Sequence, residues 1–175
     1  MDFEFLKQCA SEVGVKLTQK QTERLAAYFD MVVEKNKAFN LTAITEEKDF
    51  AIKHIADSLA GISEIPQNSA LLDIGAGAGF PSMPIAITRE DVKVTALDST
   101  AKKMNFISEC ARELKLTNVK TVAGRAEEQK NLFATFDVVT ARAVSSLNIL
   151  LELAMPMLKT GGRFIAYKTD ESELD

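Results

Sequence analysis

The sequence predicts an α/β fold, a mostly parallel sheet with helices on both faces, preceded by a helical amino-terminal extension. Three observations carry this reading. From Ser69 onward, short apolar runs alternate with amphipathic segments over short connections, the signature of repeated βα units. Before Pro66 the apolar residues recur at helical spacing instead. Between the two parts, Ser69–Phe80 reads S-A-L-L-D-I-G-A-G-A-G-F, a strand-sized run that breaks into Gly75, Gly77 and Gly79 and then into a helix-like segment. Such a junction is expected to bring bare backbone N–H groups up against a ligand.

The elements follow in order. Residues 2–13 and 18–38 read as helices, the second with Leu25, Tyr28, Phe29, Val32 and Val33 on one stripe. Thr18 with Gln21 forms a capping box for it, and its aromatics are expected to be core contacts rather than a cofactor box. Lys35–Thr45, K-N-K-A-F-N-L-T-A-I-T, is polar and suits turns. Thr45-Glu46-Glu47 reads as a helix start. That helix runs to about Gly61, with Phe50, Ile52, Ile55, Leu59 and Ile62 on its apolar side and Lys53, His54, Asp57 and Ser58 on its outer surface. Strands are predicted at Leu71–Ile74, Val92–Leu97, Val119–Ala123, Phe136–Thr140 and Arg163–Tyr167. The helices between them begin at Pro81, run from about Thr100 to Leu114, form a short turn over Ala126–Asn131, and run from Ser146 to Leu158, where Gly161-Gly162 is expected to stop the last. The crossovers between parallel strands are right-handed.

At 175 residues with 46% hydrophobic content, the chain suits one soluble globular domain with a modest extension. We divide it into a helical extension, 1–65, and a cofactor-binding domain, 66–175. No apolar run reaches the ~18 residues of a membrane span, and the start, M-D-F-E-F-L-K-Q, lacks a signal peptide's basic and apolar regions. A cytoplasmic location is therefore expected. Cys9 and Cys110 form no C-x-x-C, and a single histidine, His54, makes a metal site unexpected. The net charge of −4 argues against a generally basic nucleic-acid binder while leaving room for a local basic face.

In a parallel α/β sheet, ligands bind beyond the carboxyl ends of the strands. The residues there are Gly75 to Phe80, then Asp98, then G-R-A-E at Gly124–Glu127, then Arg142. The glycine turn could also be a tight turn without a ligand, and Asp98 suits either ribose hydroxyls or the cap of the next helix. Glu127 could face an adenine or start a helix, and a lone arginine is commonly a surface ion pair. Phe80 stands where a dinucleotide G-x-G-x-x-G would need its last glycine. After the fourth strand there is neither the D/N-P-P-Y/F/W loop that accompanies exocyclic-amine methylation nor a nucleophilic cysteine, and no Ser-His-Asp set appears. A ring nitrogen with a free lone pair needs no base, only alignment.

The run D-x-G-x-G-x-G, Asp73–Gly79, looks like the first motif of S-adenosylmethionine (SAM) dependent methyltransferases. Asn40–Thr45 (N-L-T-A-I-T), Lys53–Leu59 (K-H-I-A-D-S-L), Leu72–Pro81 (L-D-I-G-A-G-A-G-F-P), Leu97–Ser99 (L-D-S), Gly124–Glu127 and Ala141–Val144 (A-R-A-V) extend the likeness across nearly the whole chain. In this order they resemble the bacterial small-subunit ribosomal RNA methyltransferase G family, also called glucose-inhibited division protein B. The resemblance implies a Rossmann-like methyltransferase that moves a methyl group from SAM to N7 of a guanine in 16S ribosomal RNA, within a small ribosomal subunit particle. It implies cofactor contacts at Asp73, Gly75, Gly77, Phe80, Asp98, Ala126, Glu127 and Arg142, with Arg142 also positioning substrate and no general base. RNA contacts are expected at Lys53, His54, Arg125 and Lys168, and less so at Lys35 and Lys37, which suit a solvated face. A monomer is expected. Two departures stand out. Ser82 replaces the family's usual glycine, and the acidic tail K-T-D-E-S-E-L-D is too short for the sixth and seventh strands of the class. The sheet is thus expected to lack its last two strands and to be less stable than that of a longer relative. The alternatives are a small-molecule methyltransferase and a SAM-binding protein inactive through carboxyl-terminal truncation.

Overall fold

The computed structural model describes residues 1–142 and 146–167. Five parallel strands, β1 (Ala70–Ile74), β2 (Lys93–Asp98), β3 (Val119–Ala123), β4 (Phe136–Arg142) and β5 (Leu158–Tyr167), form one sheet in the order β3-β2-β1-β4-β5. The chain moves outward from β1 to β3 and then crosses to β4 on the other side, so the order switches between β1 and β4. This is where a ligand crevice forms in such sheets. The expectation about a sixth and seventh strand concerns the tail from Lys168, which lies outside the described residues.

The pleat of β1 sorts its side chains onto two faces. Leu71 joins a large core cluster with residues of α1 (Phe3–Glu12), α2 (Gln19–Asn36), α5 (Ser82–Thr88) and α6 (Ala101–Glu113). Leu72 and Ile74 join a smaller one beneath α7 (Leu147–Ala154). The larger cluster unites Leu6, Leu25, Tyr28 and Phe50 of the extension with Val94 and Val138 of the sheet. The helices of the extension therefore share their core with the strands. Thr18 and Gln21 make the expected capping box at the start of α2.

Several local readings are corrected. The helix expected from Thr45 to Gly61 begins at Glu47, after an N-cap at Glu46 that makes no side-chain bond, and it is not uniform. α3 (Glu47–Phe50) passes into a π-helical segment, Ala51–Ala56, then α4 (Asp57–Leu59) and a 3₁₀ turn, Ile62–Glu64. The Asp57 N–H donates to the Ile52 carbonyl, the i→i+5 bond of a π-helix. A wider turn puts every fourth residue on one face, so Phe50, His54 and Ser58 are buried as one row and Ala51, Ile55 and Leu59 as the next. Ile52 consequently turns outward and is 49% exposed, whereas a 3.6-residue period would have buried it and left His54 outside.

The last helix is also shorter than Ser146–Leu158. It ends at Ala154 and closes in a 3₁₀ turn, Met155–Met157, around Pro156, which has no N–H to continue an α-helix. Gly161-Gly162 does not stop it but lies inside β5, where the pairing with β4 jumps from Phe136–Leu158 to Val138–Arg163. A Cβ on Gly162 would come within 2.9 Å of the Lys159 carbonyl in the same strand and 3.1 Å of the Asp137 carbonyl of β4, so the bulge leaves no room for a side chain there. Finally, the turn after β3 is two 3₁₀ turns, Ala126–Glu128 and Lys130–Leu132, and Pro81 is the N-cap of α5 rather than its first residue.

The π register makes a test. Ile55→Ala should lower the unfolding free energy by about 2–5 kcal/mol, as for a fully buried core truncation, while Ile52→Lys should change it by less than about 0.5 kcal/mol. Urea melts of both variants decide it, and comparable losses at the two positions would restore the uniform α-helix.

Candidate functional site

The glycine turn that follows β1 is held from every side by the protein itself. The Gly75 and Ala76 N–H groups both donate to the Leu97 carbonyl at the end of β2, at 2.8 and 3.0 Å. Gly77 donates to Asp98 Oδ2 at 3.0 Å, and Gly79 and Phe80 donate to the Ala76 carbonyl. These donors are therefore engaged, which corrects the expectation that the turn offers bare N–H groups to a ligand. The parallel register is the cause, because it carries β2 one carbonyl past the end of β1. What the glycines supply is backbone shape and space. Gly75, Gly77 and Gly79 all have positive φ, and a Cβ on Gly79 would strike the Tyr28 hydroxyl and Met83. That hydroxyl, from α2, donates to the Ala78 carbonyl.

Asp98 sits where a ribose-binding acid was expected and also serves the chain locally. Its Oδ2 accepts from Gly77, and its Oδ1 accepts from the Thr100 N–H, at 2.8 Å, at the start of α6. The helix-cap reading is corrected: the N-cap of α6 is Thr100, and Asp98 lies two residues ahead of it and accepts from its N–H. Asp98 lines a cavity of about 280 Å³ with Gly75, Ala126 and Glu127, and Ile74, Leu97 and Leu153 form apolar walls. A slot with apolar sides and two carboxylates, those of Asp98 and Glu127, suits a base and a sugar. Arg125 borders the same cavity and pairs with Glu127 at 3.5 Å.

Asp73 takes a different place. It is fully buried, with Oδ2 accepting from the Ser82 N–H at 3.1 Å and Oδ1 from the Thr140 hydroxyl at 3.0 Å. It ties β1 to β4 and to the start of α5, beneath the glycine turn. Burial raises its pKa from 3.8 to about 6 against the opposing pull of those hydrogen bonds and of Arg142.

On the other side of β1 stands a second group of motif residues. Arg142, the last residue of β4, donates from Nη1 to the Lys53 carbonyl at 3.2 Å and to Asp57 Oδ2 at 2.9 Å. Its Nη2 lies 2.6 Å from His54 Nδ1, and the guanidinium carbon is 5.6 Å from the centre of the Phe80 ring. The His54 and Phe80 rings stack at 4.2 Å and 6°, and both meet Phe50 edge-on. His54 Nε2 lies 2.7 Å from the Thr42 hydroxyl. Because arginine only donates, Nδ1 is the acceptor and Nε2 carries the proton. Burial, and then the charge of Arg142, lower the His54 pKa to about 4, so the ring is neutral at physiological pH.

Four sequence motifs thus converge through Thr42, His54, Phe80 and Arg142. Thr42 and Asp57, the partners that sequence reasoning passed over, lie within the same two motifs, and Asp57 follows His54 by three residues. Phe80 is buried with its ring against His54, Phe50 and Tyr28 of the extension. His54, expected on the outer surface, is 5% exposed. Lys53 pairs with Asp49 at 3.1 Å, Lys35 with Glu109 at 3.3 Å and Lys37 with Glu34 at 2.6 Å. Lys168 lies outside the described residues. Neighbouring strands lie ~4.8 Å apart, so the Asp98 and Arg142 positions, one on each side of β1, are separated by roughly twice that distance. No described helix is long and apolar enough to cross a membrane.

Comparison with known proteins agrees with this geometry. A family model described as rRNA small subunit methyltransferase G matches residues 21–175. The ribosomal RNA small subunit methyltransferase G of Staphylococcus saprophyticus is 41% identical over 177 residues, covering 99% of this chain and 74% of that protein. Its namesake from Streptococcus agalactiae serotype V is 45% identical over 172 residues, covering 95% and 73%. Among solved structures, coclaurine N-methyltransferase bound to N-methylheliamine and SAH superposes with a TM-score of 0.58 at 15% identity, covering 95% of this chain and 60% of that one. Precorrin-6y C5,15-methyltransferase from Geobacter metallireducens gives 0.58 at 20% identity, covering 79% and 73%. The structural likenesses carry the fold, and the sequence relatives with the family model carry the kinship: this chain belongs to the rRNA small subunit methyltransferase G family.

Proposed function

We propose that the chain is an enzyme that transfers the methyl group of SAM to N7 of a guanine in 16S ribosomal RNA, presented within a small ribosomal subunit particle. The observation that carries this reading is the pairing of a base-and-sugar slot at Asp98–Glu127 with the Arg142 group across the glycine turn, in a chain of this family.

The residues present fit the cofactor. The apolar walls Ile74, Leu97 and Leu153 would sandwich an adenine, and Asp98 and Glu127 would accept hydrogen bonds from a ribose and the base edge. Gly75 and Gly77 would leave room for the rest of the chain of SAM, with no Cβ in the way. When bound, SAM supplies a methyl group on a sulfonium, already activated for transfer. The protein's part is then alignment. Guanine N7 brings its own lone pair, so no side chain has to take a proton before attack, and holding the two reactants in line is the source of the rate. Arg142, at the end of β4, would orient the guanine or its phosphate. Lys53 and Arg125 are ion-paired on the surface, and such pairs are weak enough to exchange for phosphates. The extension 1–65 and the domain 66–175 would act as one unit, supported by their common core.

Asp73 adds a pH dependence whose sign follows from its raised pKa. The folded state holds this proton more tightly than the unfolded chain, so its contribution to stability is present below about 4 and is lost as pH rises through about 6.

Three outcomes are expected. Incubation with labelled SAM should methylate small subunits lacking the modification, with the label recovered as 7-methylguanosine, and should leave a panel of small metabolites unlabelled. Label in the metabolites alone, or calorimetry showing binding of NAD but not SAM, would overturn the reading. Asp98→Ala should raise the KM for SAM by roughly 10–100-fold, the worth of a hydrogen bond to a charged group, with a smaller change in kcat. In urea titrations, the stability of the wild type relative to Asp73→Asn should fall between pH 4 and 6, and a difference independent of pH would remove Asp73 as the titrating group.

A further inference from the structure

We propose that His54 is a positioning residue for Arg142: its unprotonated Nδ1 accepts from the guanidinium and, together with the Phe80 ring, fixes where that guanidinium sits at the carboxyl end of β4. The inference rests on the reading of Arg142 as a substrate-orienting group.

The geometry excludes the other roles open to a histidine. Both ring nitrogens are engaged inside the protein, Nδ1 by Arg142 and Nε2 by Thr42, and the ring is 5% exposed. It therefore offers no free atom to RNA and cannot collect a proton from a substrate. A protonated imidazole would set an N–H against the guanidinium, donor against donor. Filling space does not explain the contacts either, since a phenylalanine would stack on Phe80 equally well and leave the arginine without its acceptor.

The histidine is itself held at its far end. Asn36, at the end of α2, accepts from the Leu41 and Thr42 N–H groups at 2.7 and 3.0 Å and donates to the Thr42 carbonyl at 3.0 Å. The Thr42 hydroxyl also accepts from the Ile44 N–H at 3.1 Å, which fixes its position beside Nε2. The chain of contacts therefore runs from α2 through Asn36, Thr42 and His54 to Arg142 and on to Asp57. It joins the N-L-T loop to the end of β4 through hydrogen bonds alone. The π-helical turn makes the chain possible, because it carries His54 from the outer face of its helix to the inner one. Three of the guanidinium's five N–H groups are engaged in this way, toward Lys53, Asp57 and His54.

Because His54 is the only histidine, one set of imidazole signals reports on it without assignment. The charged group facing the ring is Arg142 from β4; the N-L-T loop offers the Thr42 hydroxyl, the glycine turn offers the Phe80 ring, and Asp57 on the same helix pairs with Arg142. In ¹⁵N–¹H spectra of the full chain, we expect an unprotonated Nδ1 and a protonated Nε2 that do not titrate between pH 8 and about 5.5, and an upward shift of the titration in Arg142→Ala. An Nδ1–H tautomer, or a titration near 6.5, would overturn the proposal. Activity gives the second readout. His54→Asn places Oδ1 near the position of Nδ1 and should hold kcat within about threefold of wild type, whereas His54→Gln and His54→Phe should lower it by roughly 10–100-fold, the cost of a misplaced orienting group. In an Arg142→Ala background the His54 changes should cost nothing further, and independent, multiplying losses would refute action through Arg142. The spectra need no folded His54 variant and no activity. A wild type inert on small subunits would therefore fail the functional reading and leave the positioning contact separately tested.

Discussion

The stack of Phe80 on His54, with Arg142 across its edge, is the contact on which the arrangement of the site depends. Phe80 ends the glycine turn, His54 belongs to the helical extension, and Arg142 closes β4, so one aromatic pair joins three parts of the chain. Tyr28 reinforces it from α2 by donating to the Ala78 carbonyl and filling the space that the missing Cβ of Gly79 leaves. The turn that would face the cofactor is therefore braced from behind by the extension. Loosening the extension should then disturb the cofactor side, although no residue of α1 or α2 lines the Asp98 cavity.

Electrostatics in the site follow burial more than charge count. Asp73 has an apolar setting and two hydrogen bonds, and desolvation outweighs them, holding its pKa near 6. His54 is pushed the other way, to about 4, by the same burial with a guanidinium added. Both shifts run toward the neutral form beneath the turn, leaving His54 uncharged at physiological pH and Asp73 easier to protonate than an exposed carboxylate, while Asp57, Asp98, Glu127 and Arg125 lie nearer the solvent. A cationic cofactor and a polyanionic substrate would meet those outer charges first.

Much of the fold was legible because its signals are local. The βα alternation after Ser69, the capping box of Thr18 and Gln21, and the positions of Asp98, Glu127 and Arg142 at or just beyond the carboxyl ends of their strands all follow from short-range pattern and the rule for parallel sheets. The π turn was not legible. Ile52, Ile55 and Leu59 satisfy a 3.6-residue period as well as any helix, and only packing against Phe80 and α2 selects the wider turn that buries His54. Gly161-Gly162 misled for a related reason, since two glycines mark a helix end and a strand bulge alike. Between them, the bulged pairing with β4 decides.

Sequence alone determined the class of the fold, the family, and the residue types gathered at the carboxyl ends of the strands, because motif order and periodicity are properties of the chain itself. Tertiary structure decided which atoms each residue uses. It assigned the glycine-turn N–H groups to Leu97, Asp98 and Ala76, sent Asp73 beneath the turn, and turned His54 from an outer face onto Phe80 and Arg142. The physical reason is that hydrogen-bond partners are set by strand register and by packing across as many as 109 residues of chain, as between Ser58 and Tyr167, and no local pattern encodes which of two neighbours will be nearer.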